Sequence, residues 1–367
     1  MGNRFPTGGK RVTIGDVAAL AGVSKGTVSK FLGDGDYYIA EETRARIAAA
    51  VAELDFQPNA IAQGLVRRRT QTVGVIVASI ANPVYPEMIA GIQAVLEERG
   101  FTLIIGSSEG RPEREAGIVR SMRQRQVDGI VMASVTMRDG EVAALVGDGL
   151  DVVLASRNLA RGDLVDAVVV DNVAGARAAV EHLAGHGHTR IAHVAGPQDV
   201  VPFTQRRQAY CDAVSDAGLD ADPDLVTVAE ASTLEAGADA VRRLLALPEP
   251  PTAVFVGSDG MAIGALEHCA RAGVVVPRDL AVVGFDNIWV GRMPGISLTT
   301  VDSHARDVGT RAAHRLLSRI EARWEGRSSP PPRPAAAETT VLPAELVVRG
   351  TCGCASDVPL RALAPSS

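Results

Sequence analysis

Two patterns of apolar residues divide this chain into a short helical head and a longer α/β body. In the head, four apolar residues recur at helical spacing and form one face of a short helix: Ile14, Val17, Ala18 and Ala21. Thr13 is the expected N-cap, Asp16 completes a capping box, and Gly22 ends the helix. The pattern therefore predicts a short capped helix.

A second short helix follows directly. Ser24 is its expected N-cap, it runs to about Leu32, and Val28 points inward. Its outward positions are Lys25, Gly26, Ser29 and Lys30. A third helix from about Glu41 to Asp55 covers the first two. The head is therefore predicted to be an all-α helix-turn-helix domain.

After Thr72 the pattern changes to alternating strands and helices. The predicted strands are Val73–Ala78, Thr102–Gly106, Gly129–Ala133, Val152–Ala155, Ile191–Ala195, Thr252–Val256 and Ala281–Gly284. The predicted helices are Met88–Arg99, Glu113–Gln126, Asn172–His186, Gln205–Ala217, Leu234–Leu247 and Met261–Ala272. Two series of βα units predict two lobes with parallel sheets, and a ligand cleft beyond the carboxyl ends of the strands.

Charge is unevenly distributed along the chain. Residues 1–70 hold 10 Lys and Arg against 7 Asp and Glu, whereas the whole chain has a formal net charge of -6. A slightly basic head on an acidic body suits DNA binding at one end only. With 46% hydrophobic residues among 367, the body can form a substantial core.

The N-terminal residues carry no apolar stretch of the kind found in a signal peptide, so a cytoplasmic location is expected. The cysteines are few and unevenly spaced, which agrees with a reducing compartment: Cys211, Cys269, Cys352 and Cys354. No cofactor is expected.

Several motifs, in their order and spacing, resemble those of the LacI/GalR family of bacterial repressors. They are the Val12–Lys30 segment, Thr43-Arg-Ala-Arg-Ile, Pro58-Asn-Ala-Ile-Ala-Gln-Gly-Leu, Val73-Gly-Val-Ile-Val, Asn82-Pro-Val-Tyr, Gly129-Ile-Val, Asp171-Asn, Gly257-Ser-Asp, Gly284-Phe-Asp-Asn and Leu346-Val-Val-Arg. The resemblance covers roughly residues 11–350. It implies a homodimer, able in some members to pair into a tetramer, that binds a near-palindromic double-stranded DNA operator.

The resemblance also assigns DNA contacts. Lys25, Gly26 and Lys30 match base-reading positions, and Ser24, Thr27 and Ser29 match positions near phosphates. Thr13 and Asn59 are included in the same expected interface. Leu65 matches the leucine of a hinge helix that wedges into the minor groove and kinks the operator.

In the body, which the resemblance makes a two-lobed effector domain like periplasmic binding proteins, Arg206 and Asp286 match ligand-binding positions. A guanidinium and a carboxylate together can bind the donors and acceptors of a sugar or related polyol. The residues expected to border the same pocket are Tyr85, Ser134, Phe203, Ser258 and Trp289. The resulting prediction is a repressor whose operator affinity is controlled by a small molecule, with the sign of that control left open.

Plainer interpretations accompany these assignments. The helix-turn-helix pattern is also compatible with an ordinary helical hairpin, and Leu65 with ordinary packing. The aromatic residues Tyr85, Phe203 and Trp289 could equally belong to the hydrophobic core. Arg206 also fits a surface ion pair, and Asp286 a helix N-cap. An α/β kinase or hydrolase tethered to DNA is the alternative function, although the chain has no P-loop, Gly-x-Ser-x-Gly or His-Glu-x-x-His motif. A periplasmic solute carrier would require a signal peptide.

Two short motifs raise the question of a metal. His182 and His186 stand four residues apart on one helical face, and Cys352-Gly-Cys354 lies near the end of the chain. The histidines fit a helix end turning into a strand, and the cysteines lack a second pair, so no metal site is predicted. The expected layout is a DNA-binding domain at 11–57, a hinge and linker at 58–71, an effector-binding and dimerisation domain at 72–350, and a flexible tail at 351–367.

Overall fold

Two compact units, Met1–Thr70 and Gln71–Ser367, make up the chain. The computed structural model describes residues 12–32, 38–57, 69–134, 139–159, 164–325 and 337–354. Asn59, Leu65 and the rest of the expected hinge helix lie outside these residues. The predicted domain layout therefore stays a prediction at its hinge.

The first unit contains three short helices around one apolar cluster. They are α1 (Ile14–Ala21), α2 (Lys25–Phe31) and α3 (Glu41–Glu53). Thr13 Oγ1 accepts from the Asp16 backbone N–H at 3.4 Å, and the Asp16 carboxylate accepts from the Thr13 N–H at 2.8 Å, which completes the predicted capping box. Gly22 ends α1 in the left-handed conformation, with φ 64°. Val17, Val28 and Ile47 are fully buried and join the three helices.

The second unit contains two six-stranded sheets. The strands of the first sheet are β1 (Thr72–Val77), β2 (Thr102–Ser107), β3 (Gly129–Met132), β4 (Asp151–Ala155), β5 (Asp166–Val170) and β11 (Thr339–Leu342). They pair in the order β11-β5-β4-β3-β1-β2, and every pair is parallel. The apolar runs of these strands are buried because helices cover the sheet.

The second sheet repeats this order with one antiparallel edge. Its strands are β6 (Ile191–Ala195), β7 (Val226–Val228), β8 (Ala253–Val256), β9 (Ala281–Asp286), β10 (Thr299–Asp302) and β12 (Glu345–Val347). They pair in the order β12-β10-β9-β8-β6-β7, in which only β12 is antiparallel to its neighbour. The predicted two lobes with parallel sheets are thus confirmed.

Eight helices belong to the described part of this unit. They are α4 (Val84–Glu98), α5 (Pro112–Gln124), α6 (Asp139–Gly147), α7 (Asn172–Gly185), α8 (Val201–Asp216), α9 (Leu234–Leu245), α10 (Asp259–Ala272) and α11 (Ala305–Trp324). Gly91 of α4 and Gly309 of α11 allow these two helices to approach closely. A Cβ at Gly91 would lie 2.2 Å from the Arg306 carbonyl oxygen, and one at Gly309 equally close to that of Met88.

The chain passes between the two sheets three times. It crosses after β5, returns after β10 through α11, and crosses again between β11 and β12. These crossings keep the carboxyl ends of both sets of parallel strands beside one cleft. No helix in the described residues is long and apolar enough to cross a membrane.

The expectation of a flexible tail from residue 351 is wrong at its beginning. Gly350–Cys352 form a 3-10 turn, and Thr351 and Cys352 are fully buried. The Thr351 hydroxyl donates to the Val282 carbonyl at 2.7 Å and accepts from the Thr299 N–H at 2.8 Å. This turn is therefore an integral part of the second lobe.

Candidate functional site

The exposed face of α2 carries the predicted DNA-reading residues. Lys25, Gly26, Ser29 and Lys30 are exposed, while Val28 is fully buried against the other two helices. The Ser24 hydroxyl caps the helix by accepting from the Thr27 N–H at 3.1 Å, and the two hydroxyls are 2.9 Å apart. Packing therefore fixes which face of α2 is available to a partner.

Lysine is rare in this chain, and its positions are informative. Only residues 10, 25 and 30 are lysine, so two of the three stand on this short helix. Between them, Gly26 offers no side chain, although a Cβ there would be an ordinary 3.6 Å from Ser24 Oγ. The fold thus tolerates a side chain at Gly26, and packing does not explain the glycine.

A cavity of about 350 Å³ lies in the cleft between the lobes of the second unit. Six of the seven residues predicted for the effector line it: Tyr85, Ser134, Phe203, Arg206, Ser258 and Asp286. Trp289 does not line this cavity, which corrects the expectation from its loop position. It begins a 3-10 turn, and its side chain is 51% exposed.

Arg206 is a buried cation held by neutral partners. It extends from α8, where its Nε donates to Asn172 Oδ1 at 2.9 Å and its Nη1 donates to the Gly257 carbonyl at 2.6 Å. Its guanidinium lies 3.5 Å from the centroid of the Phe285 ring. Burial lowers the pKa of Arg206 to about 10, so the side chain remains charged at neutral pH.

Asp286 stands at the carboxyl end of β9 and faces Arg206. Its Oδ1 is 3.9 Å from Arg206 Nη1, and its side chain is only 11% exposed. Burial raises the pKa of Asp286 to about 7; the Arg206 charge opposes that rise, and nearby Asp259 adds to it. Burial likewise raises the pKa of Asp259 to about 6. The cleft therefore holds a carboxylate whose charge is poorly solvated.

Hydroxyl groups reach the cavity from both lobes. On the first lobe, Ser134 donates to the buried Glu115 carboxylate at 2.9 Å and lies 2.7 Å from the Ser108 hydroxyl. On the second lobe, Ser258 caps α10 and lies 2.7 Å from the Ser232 hydroxyl. With Tyr85 and Phe203 beside them, these groups combine polar atoms and aromatic faces, as small-molecule sites do.

Sequence reasoning missed four charged residues in the cavity lining: Glu109, Arg157, Asp199 and Glu230. The first three follow β2, β4 and β6, which are predicted strands, so the rule that ligands bind beyond strand carboxyl ends was a usable signal. Glu230 follows β7, a strand of three residues that was not predicted.

The structure also brings the histidine pair, His182 and His186, close to the cysteine pair, Cys352 and Cys354. Neither pair alone predicts a metal site. The ligand atoms of His182, His186, Cys352 and Cys354 all lie within 4.8 Å of one another. None of these four residues lines the cavity between the lobes.

Comparison with known proteins agrees with both units. A family model for bacterial regulatory proteins of the lacI family matches residues 13–59, and a periplasmic binding protein-like domain model matches residues 180–352. The ribose operon repressor of Escherichia coli (strain K12) is 33% identical over 309 residues, which are 84% of this chain and 93% of that protein.

Two solved structures extend the likeness over nearly the whole chain. The transcriptional regulator CelR in complex with cellobiose has a TM-score of 0.67 at 32% identity, covering 93% of this chain and 100% of that one. The lac repressor dimer bound to operator and the anti-inducer ONPF has a TM-score of 0.80 at 25% identity, covering 94% and 99%. These proteins are repressors and regulators, which excludes the alternative of a DNA-tethered kinase or hydrolase.

Proposed function

The chain belongs to the LacI family of bacterial transcriptional regulators, and from this premise we propose that a sugar or polyol bound between Arg206 and Asp286 controls its operator affinity. It is a DNA-binding repressor and not an enzyme. The observation that carries the proposal is the buried cation and carboxylate facing each other across 3.9 Å in a cleft of about 350 Å³.

The size and chemistry of the cleft favour a small polyol. Its volume lies at the low end for small-molecule sites. The Asp286 carboxylate can accept hydrogen bonds from sugar hydroxyls, and Arg206 can donate hydrogen bonds to hydroxyl oxygens. Tyr85 and Phe203 offer ring faces for stacking. Two similar proteins, the ribose operon repressor and CelR in complex with cellobiose, point by name to the same ligand class.

For DNA we propose a homodimer on a near-palindromic operator, with one α2 helix in each of two major grooves. The exposed positions of Lys25 and Lys30 support contacts to guanine edges or phosphates, and Gly26 leaves room for a base or a water. Thr13, Ser24, Thr27 and Ser29 are proposed for the phosphate backbone. Asn59 and Leu65 are proposed for the hinge, on the family resemblance alone.

Control follows from differential binding. A ligand that contacts both lobes favours one lobe arrangement, and the arrangement that keeps the two hinges together binds operator better. A decisive switch requires several kcal/mol of preference between the two arrangements. Pairing of dimers into tetramers stays a proposal that sedimentation can address.

The experiment is selection of bound duplexes from a randomised palindromic pool, followed by titration of the selected operator at fixed salt with a panel of sugars, polyols and nucleosides. We expect one symmetric operator and one sugar or polyol that changes its affinity at least tenfold. Lys25→Ala is expected to weaken binding and lower the salt slope by about one. Arg242→Ala, on an exposed face of the second unit, is the matched charge control.

Two outcomes contradict different parts of the proposal. If the protein binds the operator but no sugar or polyol alters its affinity, or only a nucleoside does, then the proposed effector class, a sugar or polyol, is wrong. Binding that shows no preference over random duplex rejects the operator assignment itself.

A further inference from the structure

His182 of α7, the C-cap residue His186 and two cysteines near residue 353 converge on one point of the second lobe. His186 Nε2 and Cys354 Sγ are 2.6 Å apart, and His182 Nε2 is 3.5 Å from the same sulfur. Cys352 contributes the fourth ligand atom within the 4.8 Å span of the group. The set is therefore two imidazoles and two thiols, drawn from segments 168 residues apart.

Local structure explains the convergence on each side. His182 and His186 are four residues apart at the end of α7, so their rings lie on one face, with centroids 4.6 Å apart. On the other side, Gly353 takes the left-handed conformation, φ 87°, between the two cysteines. This glycine turns the chain so that both sulfurs face the same helix end.

We propose that these four residues bind one Zn²⁺ ion in a tetrahedral Cys₂His₂ site. Nitrogen and sulfur ligands in this ratio and geometry are typical of zinc. Zn–S and Zn–N bonds of about 2.3 and 2.0 Å place tetrahedral ligand atoms roughly 3.3–3.8 Å apart. The widest separation in the cluster, up to 4.8 Å, therefore has to shorten and the 2.6 Å between His186 Nε2 and Cys354 Sγ has to lengthen, each by about 1 Å. Two thiolates balance the charge of the ion.

The proposed site is structural, because four protein ligands leave no position for a reacting molecule. Its role follows from the segments it joins. Cys352 is buried beside Leu183 of α7 in one apolar cluster, and its turn is already anchored through Thr351 to β9 and β10. Zinc would fasten the segment that carries Cys352 and Cys354 to α7 by coordination as well as by packing.

The test measures zinc in the full-length protein, purified with a thiol reductant and dialysed against metal-free buffer after loading with Zn²⁺. We expect one zinc per chain by elemental analysis. Replacement by Co²⁺ should give the visible bands of a tetrahedral ion and a thiolate charge-transfer band. Cys354→Ser and His186→Gln, which replace partly or fully exposed ligands, should weaken zinc binding at least tenfold and remove the thermal stabilisation by zinc.

Matched controls use the same residue types outside the cluster. His188 follows His186 by two residues but contacts Thr252 Oγ1 at 2.9 Å, and Cys211 is an exposed cysteine of α8. His188→Gln and Cys211→Ser should retain zinc fully. The proposal is overturned if the wild-type protein retains no zinc, if Cys354→Ser retains it unchanged, or if the two cysteines form a disulfide that the reductant opens without any gain in zinc.

Discussion

Replacing Asp286 by asparagine separates the stability of the cleft from its function. The change keeps the shape of the side chain and removes a charge that is poorly solvated and lies near Asp259. Because burial raises the pKa of Asp286 from 3.8 to about 7, the folded protein holds a proton there that the unfolded chain releases. The stabilisation from that proton is complete below about pH 3.8 and is lost as pH rises through about 7.

The size of the effect follows from the pKa shift. Each pKa unit corresponds to about 1.4 kcal/mol, so the charged carboxylate lowers the free energy of unfolding by about 4 kcal/mol at pH 8, relative to a neutral side chain. At pH 5 the corresponding loss is about 2 kcal/mol. Asp286→Asn should therefore be more stable than wild type, by a margin that grows by roughly 2–3 kcal/mol between pH 5 and pH 8.

Urea denaturation of both proteins at pH 5, 6, 7 and 8, without sugar, measures this margin. Asp239→Asn, at an acid on the exposed face of α9, is the control for removing a carboxylate that is not buried. In the operator assay the Asp286→Asn protein should bind DNA within about twofold of wild type and lose its response to the effector. A margin that is constant with pH would refute the argument that the cleft buries a charge.

Three further predictions concern single contacts. Leu65→Ala should weaken operator binding at least tenfold and leave effector binding within twofold, as measured by fluorescence anisotropy and calorimetry; unchanged operator affinity would reject the wedge. Thr13→Ala, which removes the cap of α1, should destabilise the first unit by about 1 kcal/mol, seen as earlier loss of its helical signal on heating, whereas Thr43→Ala on α3 should not. Gly91→Ala should destabilise the second unit by about 1–3 kcal/mol in urea because its Cβ would meet the Arg306 carbonyl, whereas Gly140→Ala, which meets nothing within 4 Å, should not.

The parts of the fold that sequence predicted are those with local signals. Strand β6 was predicted to its exact residues from one apolar run, and α1 from its capping box and its terminal glycine. Strands β5, β7, β10, β11 and β12 have three to five residues each and were missed. So short a run carries no periodicity, and β11 exists because it pairs with β5, some 170 residues earlier.

The same difference between local sequence signals and long-range contacts applies to the candidate sites. The family motifs located Arg206 and Asp286, but not the 3.9 Å between them or the burial that raises one pKa and lowers the other. Neither the histidine motif nor the cysteine motif predicts a metal site alone, because the histidines fit a helix end turning into a strand and the cysteines lack a second pair. The cluster of all four residues forms because Cys352 and Cys354 lie beside the end of α7. No local sequence pattern encodes that long-range proximity.

The backbone at Asp286 shows why the geometry of the proposed effector site is a property of the whole lobe. Asp286 and Asn287 both have positive φ, 127° and 59°, a conformation that costs about 1–3 kcal/mol for residues other than glycine. Long-range hydrogen bonds hold it: Ser303 donates to the Asp286 carbonyl, and Arg349 donates to Asn287 Oδ1 at 2.6 Å. Arg349 directly precedes the turn that carries Cys352. The anchoring of this turn and the position of the Asp286 carboxylate therefore depend on one continuous segment.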